Sequence, residues 1–174
     1  MSTRVITRLL LFLALAFLQC LILCQIRLLG YCTPLLAVYY LALTPSQQSR
    51  CISLLEAFLL GLCMDVSLNT PGMAAAALTL TAFVNPYILS LTSDPERPDE
   101  EFTPSSVEMG WEAFLLYAGL LTLVFATSYF LIEWFTFKHM RGLLLCILGS
   151  TALTLLLIAV VEQIHRKMLS GAKS

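Results

Sequence analysis

Residues 61–72 read Gly-Leu-Cys-Met-Asp-Val-Ser-Leu-Asn-Thr-Pro-Gly, and an apolar run lies on each side of this stretch. An ionised carboxylate at the centre of a membrane helix costs roughly 3 kcal/mol even on a mild insertion scale. Asp65 therefore requires exposure at an interface, a partner inside the bundle, or a role in a site. The stretch predicts a helix, a turn and a second helix, with Asp65 at the turn.

Composition places the whole chain in the membrane. Hydrophobic residues make up 59% of the 174 residues and charged residues only 12%, and the mean hydropathy is +0.85. A soluble domain is about half apolar and a quarter charged. We therefore expect an all-α integral membrane protein. No run of Lys or Arg suited to phosphate backbones is present, so nucleic acid is not an expected partner.

Six apolar segments predict a six-span helical bundle that forms a single transmembrane domain, 1–174. In the third segment only eight uncharged residues separate Glu56 from Asp65, which is too few to cross a bilayer. Either a spanning helix holds one of these acids at depth, or the segment is a short re-entrant element covered by its neighbours. The predicted spans are 9–24, 28–43, 51–66, 71–91, 111–135 and 142–161.

The distribution of cations predicts the orientation. With six spans, seven of the ten Lys and Arg residues share one side with both termini. The positive-inside rule places that side, with both termini, in the cytoplasm. With five spans the two termini would lie on opposite sides.

The loop 92–110 separates a four-span block from a two-span block. Residues 93–104 hold three prolines and five acids, a composition that is typical of a solvated connector with a mobile centre. A docking role for cytoplasmic partners is the alternative.

Turn chemistry around Asp65 leaves two roles open. Thr70 is the expected N-cap and Pro71 the first residue of the fourth helix. A carboxylate is favoured near the exposed amides of a helix N-terminus, so one role for Asp65 is to order the turn. The alternative is a site that faces a partner or a small ligand. Gly61, Asp65 and Asn69 are four residues apart and share one helix face if the helix persists that far.

Small residues recur along the fourth helix. Close helix packing in lipid relies on such residues, and the face serves either internal packing, which is favoured, or contact with another subunit. Pro86 removes a backbone donor, which predicts a kink or a helix end near Asn85. The small residues are Gly72, Ala75, Ala76, Thr79 and Ala82.

Catalytic and metal-binding patterns are not apparent. The six cysteines and two histidines lack ligand spacing, and free cysteine behaves as a small hydrophobe. No Ser-His-Asp set, H-E-x-x-H motif or phosphate-binding loop appears. We therefore expect no enzymatic activity, no metal and no cofactor.

The motifs resemble those of MreD, a bacterial rod shape-determining protein family. MreD chains are short and hydrophobic, with five or six spans, a Gly-Leu-x-x-Asp segment, a Pro-Gly-type turn and an Ala-rich helix. This chain has Gly61-Leu62-Cys63-Met64-Asp65, then Thr70-Pro71-Gly72, then Ala74-Ala75-Ala76-Ala77, and 28–36 is similar to the family's second segment. The similarity covers about residues 20–90. Asn85-Pro86 stands where family members often have Arg-Pro, which leaves the role of that cation in doubt.

The resemblance implies a non-enzymatic scaffold or adaptor of the cell-elongation machinery, which supports peptidoglycan synthesis and rod shape. Its implied partner is an MreC-like bitopic protein, with MreB, RodA and a class B penicillin-binding transpeptidase as complex members, and membrane lipids around it. The family's fold is similar to the substrate-binding subunits of energy-coupling-factor transporters. The alternative function is therefore a vitamin-type transporter subunit. For the adaptor, the candidate partner-binding or turn-ordering residues are Gly61, Asp65, Asn69, Pro71, Gly72, Ala76, Asn85 and Pro86.

Overall fold

A computed structural model describes residues 37–46, 48–93, 103–133 and 140–171, with side chains described for 145–164 of the last segment. This part of the chain is helical and contains no strand. The predicted first span, 9–24, lies outside the described residues, as do most of the second, 28–43, and the centre of the 92–110 loop. The helices are α1 (Ala37–Ala42), α2 (Arg50–Leu68), α3 (Met73–Thr92), α4 (Trp111–Glu133) and α5 (Met140–Gly171).

Four of these helices are long and apolar enough to cross a membrane, as the composition predicts. The spanning segments are α2, α3, α4 and residues Leu145–Ile164 of α5. The third predicted span is thus a continuous helix of 19 residues, about 28 Å long at 1.5 Å per residue. That length approaches the ~30 Å of the hydrocarbon core. The described helix replaces the re-entrant alternative.

Consecutive helices pack against each other, α2 on α3, α3 on α4 and α4 on α5, and α1 packs mainly on α4. α4 supplies much of the core, because one of its faces is fully buried. The bundle has two ends. At the Arg50 end, α2 and α4 begin and α3 ends. At the Asp65 end, α2 ends and α3 begins. The buried face of α4 includes Phe114, Tyr117, Leu121 and Phe125.

Hydroxyl groups inside the spans are satisfied by their own helices. Thr81 donates to the Ala77 carbonyl at 2.7 Å, and Thr122 donates to the Ala118 carbonyl at 2.7 Å. In lipid no water is available for such groups, so a bond to the carbonyl four residues earlier is the local solution.

Several predicted helix limits are corrected. α3 begins at Met73 rather than Pro71, and α5 extends from Met140 to Gly171, beyond the predicted 142–161. α3 also continues through Pro86 to Thr92, so no helix end occurs near Asn85. Buried contacts of Ile88 and Leu89 beyond the proline hold the last turns in the helix, and neighbouring helices commonly allow proline inside a membrane span.

The described end of the 92–110 loop is partly packed against α5. Pro104 and Ser106 are buried, and the Ser106 backbone N–H donates to the Glu162 carboxylate at 2.8 Å. Other residues of this end are exposed, among them Val107 and Glu108. The expectation of a solvated connector therefore does not hold at Pro104 and Ser106, because α5 supplies a buried acceptor that the loop backbone reaches.

Candidate functional site: the α2–α3 turn and the Arg50 end

The carboxylate of Asp65 binds the start of α3. One oxygen, Oδ1, accepts the Ala74 N–H at 2.9 Å and the Thr70 hydroxyl at 2.6 Å. The other, Oδ2, accepts the Ala75 N–H at 2.9 Å. The side chain is only 4% exposed, so these donors replace the water that an ionised carboxylate would otherwise need.

This geometry explains the sequence of the turn. The N-cap of α3 is Gly72, which has no side chain to accept the free amides of the first turn. An N-cap side chain normally accepts the N–H of the second or third helical residue. Asp65 supplies that acceptor from the preceding helix, and its charge is favourable at a helix N-terminus. The expected N-cap, Thr70, instead donates its hydroxyl to the carboxylate.

Gly61 allows this approach of α2 to α3. A Cβ at this position would lie 2.3 Å from the Ala75 Cα, 2.7 Å from the Ala75 nitrogen and 2.8 Å from the Ala74 oxygen. All three are backbone atoms of α3, so no side-chain rotation relieves the overlap. Gly61 and Asp65, one helical turn apart, thus bring the backbone of α2 against the first turn of α3.

The other turn residues have conformational roles. Asn69 ends α2 with a φ of +55°, a left-handed conformation that asparagine tolerates. Its side chain is exposed, so it does not share the buried face of Gly61 and Asp65. Gly72 has a φ of +78°, and a Cβ added there would have no atom within 4 Å, so glycine is required by backbone conformation rather than by space. Pro71 is exposed and precedes the helix.

The small residues of α3 divide between two faces. Ala75 and Ala82 are buried inside the bundle. Ala76 is exposed and begins a row of exposed residues, which we call the α3 outer stripe. Its members follow at intervals of four, three, four and four residues, which keeps them on one side of the helix. The stripe consists of Ala76, Leu80, Phe83, Tyr87 and Leu91.

Asn85 connects three helices at the Arg50 end. Its Nδ2 donates to the Leu41 carbonyl at the end of α1, at 3.3 Å. Its Oδ1 accepts the Tyr117 hydroxyl of α4. The buried amide therefore joins α1, α3 and α4. Pro86, next to it, lines a neighbouring cavity.

The cavity of about 210 Å³ lies between the 43–49 segment, the start of α2 and the second half of α3. Arg50 stands at its side, with the guanidinium carbon 5.9 Å from the centroid of the Tyr87 ring. Such a distance allows a cation–π interaction. The lining residues are Thr44, Pro45, Ser46, Gln48, Arg50, Ser53, Leu54, Ala82, Phe83, Asn85, Pro86 and Leu89.

Glu162 of α5 forms a second buried acidic centre that the sequence prediction missed. Its side chain is fully buried. One carboxylate oxygen accepts the Tyr39 hydroxyl at 2.8 Å, and the other accepts the Ser106 N–H at 2.8 Å. The predicted sixth span ends at Val161, which places this acid at the interface. The sequence gives no strong signal for this role, because the residues that follow, Gln163 to Lys167, are mostly polar or charged and are typical of the end of a span.

Glu56, the other acid of α2, is separate from Asp65. It is partly buried near the start of the helix and accepts the Gln48 amide at 3.0 Å. Within the described residues no group of three His, Cys, Asp or Glu side chains is placed to hold a metal ion.

No protein-family model, curated protein or solved structure matches this chain. The resemblance to MreD therefore stays a prediction from the motifs of residues 20–90. The four apolar helices support an integral membrane protein.

Proposed function

We propose that this chain is a non-enzymatic adaptor of the bacterial inner membrane that holds an MreC-like bitopic protein within the cell-elongation machinery. MreB, RodA and a class B penicillin-binding transpeptidase are the proposed further members of that assembly. Both chain termini are proposed to lie in the cytoplasm, on the side with seven of the ten Lys and Arg residues.

This proposal is supported by the contacts of Gly61 and Asp65 at the turn between α2 and α3. Gly61 brings two backbones together, and Asp65 uses both carboxylate oxygens on donors of the turn and of α3. Gly61 and Asp65, which carry the resemblance to MreD, thus hold the end of one membrane helix against the start of the next. A rigid pair of helices supports a role in presenting a surface to another membrane protein.

The α3 outer stripe is the proposed surface for the partner's membrane helix. Leu80, Phe83 and Tyr87 are about half exposed, and Ala76 offers a small side chain where two helix backbones could approach closely. The stripe begins next to the turn that Asp65 orders. The partner helix would therefore pack against a face whose position the turn fixes.

Co-purification tests this proposal. The chain would be produced with the MreC-like protein of the same organism, solubilised in detergent and captured through a tag. Ala76→Leu should reduce the captured partner several-fold, because the added side chain separates the two backbones. Ala152→Leu is the matched control, since Ala152 is also an exposed helical alanine but lies on α5.

Two results would contradict the adaptor. One is a folded wild-type chain that captures no MreC-like protein. The other is an equal loss of partner with Ala76→Leu and Ala152→Leu, which would show that the stripe has no specific role. Tight binding of a vitamin-like solute by the chain alone would favour the transporter alternative.

A further inference from the structure

The cavity at the Arg50 end combines a polar wall with an apolar wall. Arg50, Asn85 and the hydroxyl residues of the 43–53 stretch form the polar side. Leu54, Phe83 and Leu89 form the apolar side. Phe83 is 55% exposed and is also a member of the α3 outer stripe, so in the chain without its partner the apolar wall is continuous with a surface that faces lipid. This arrangement suits a ligand that has a polar head and an apolar tail.

Arg50 is the charged residue among those that line the cavity, and Glu56, which accepts the Gln48 amide, does not line it. Within the described part of the chain, no carboxylate lies within ion-pair distance of Arg50, and its guanidinium rests on the Tyr87 ring. The first turn of α2 contains no acidic residue, and the side chain of its N-cap, Ser49, makes no capping hydrogen bond. The positive end of the helix dipole thus adds to the Arg50 charge. The polar head that fits is an anion.

The buried hydroxyl of Thr44 also points to a ligand, independently of the Arg50 charge. The Thr44 side chain lines the cavity, is only 5% exposed, and its hydroxyl oxygen has no hydrogen-bond partner in the described part of the chain. Buried polar groups are usually hydrogen-bonded, so an orphaned hydroxyl on a cavity wall calls for a partner. Asn85 also has one amide N–H beyond the one that binds the Leu41 carbonyl, since the side chain carries two.

We propose that this cavity binds the phosphate group of an anionic glycerophospholipid. Arg50 forms the ion pair with the phosphate, small movements of Thr44 and Asn85 supply further donors, and an acyl chain lies along Leu54 and Phe83. The volume of about 210 Å³ corresponds to about seven water molecules at ~30 Å³ each, enough for a compact headgroup. The cation distribution places this end at the cytoplasmic leaflet, where anionic lipids attract basic groups.

Native mass spectrometry of the full-length, delipidated protein in detergent tests the site. The probes are phosphatidylglycerol, phosphatidylcholine and inorganic phosphate, titrated separately and in competition. Wild type should retain phosphatidylglycerol on the order of tenfold more tightly than phosphatidylcholine. Arg50→Gln should remove that preference, because a charge-assisted bond accounts for about a tenfold effect.

Matched variants separate the cavity from general charge attraction and from misfolding. Arg166→Gln removes the same charge from the end of α5 and should leave the preference unchanged. Ser46→Trp places a large ring at the cavity wall and should block phosphatidylglycerol, while Ser90→Trp changes an exposed serine of α3 that does not line the cavity and should not.

Two outcomes would overturn the lipid assignment. The first is equal retention of phosphatidylglycerol by wild type and Arg50→Gln. The second is Arg50-dependent binding of inorganic phosphate with no preference for phosphatidylglycerol over phosphatidylcholine, which would assign the cavity to a soluble phosphate. Neither result depends on the MreC-like partner, because the experiment uses the chain alone.

Discussion

Gly61→Ala is the substitution that the structure predicts to be most damaging for its size. The added Cβ would lie 2.3 Å from the Ala75 Cα, whereas two carbon atoms attract best at about 3.5–4.0 Å. The helices must therefore move apart by more than about 1 Å at this point. That movement also stretches the bond from the Ala75 N–H to Asp65, which is 2.9 Å long.

The expected cost follows from these two effects. Overpacking of a core costs about 1–3 kcal/mol, and weakening a hydrogen bond to a charged group adds about 1.5–3 kcal/mol. Alanine regains about 1 kcal/mol over glycine in a helix. The free energy of unfolding should thus fall by about 1.5–5 kcal/mol, which corresponds to a decrease in melting temperature of about 3–20 °C for a chain of this size.

Gly119→Ala is the matched control. A Cβ there would meet only the two terminal methyl carbons of Leu155, at 3.6 and 3.7 Å, so the variant should be as stable as wild type or slightly more stable. Heating the detergent-solubilised proteins and measuring the remaining folded fraction by size-exclusion chromatography compares the two. A Gly61→Ala melting temperature within 2 °C of the Gly119→Ala value (about 1 kcal/mol or less) would refute the close-approach argument.

Three further predictions concern the acids and the topology. Asp65→Leu leaves the Ala74 and Ala75 amides unpaired and should lower the free energy of unfolding by at least about 3 kcal/mol. Asp65→Asn keeps one acceptor oxygen and should lower it by about half as much. Equal stabilities of the two variants in the same thermal assay would be inconsistent with an ordered turn. Glu162→Leu should speed amide hydrogen exchange at 103–110, because it removes the acceptor of the Ser106 N–H, and unchanged exchange there would contradict the packing role of the acid. Reporter fusions at Ser174 and within 94–101 should both report cytoplasm, and a periplasmic signal at either point would exclude the six-span topology.

The membrane class and the helices were accessible from the sequence because both depend on local composition. Runs of apolar residues with few charges predicted the spans that became α2, α3, α4 and most of α5. The importance of Asp65 was also visible, since a carboxylate between two apolar runs requires a partner. The predicted N-cap was wrong: the pattern favoured Thr70, but Gly72 takes that position, and Asp65 accepts the Ala74 and Ala75 amides.

Long-range contacts account for what the sequence did not predict. Glu162 binds Tyr39, which is 123 residues away, and Asn85 binds Tyr117, 32 residues away on the next helix. No periodicity along a single helix encodes such pairs. The packing of Ser106 likewise depends on an acceptor from α5, which the polar composition of the loop does not indicate.

Photo-crosslinking from the α3 outer stripe tests the central claim, that this chain holds another membrane protein, most directly. A photoreactive amino acid would replace Leu80 in cells that produce the MreC-like protein, with Leu156 of α5 as the control position. Both leucines are exposed on the outer surface, at 49% and 61%. The account predicts an adduct with the MreC-like protein from Leu80 and none from Leu156. A chain present at normal levels that gives no protein adduct from Leu80, or gives equal adducts from both positions, would contradict it.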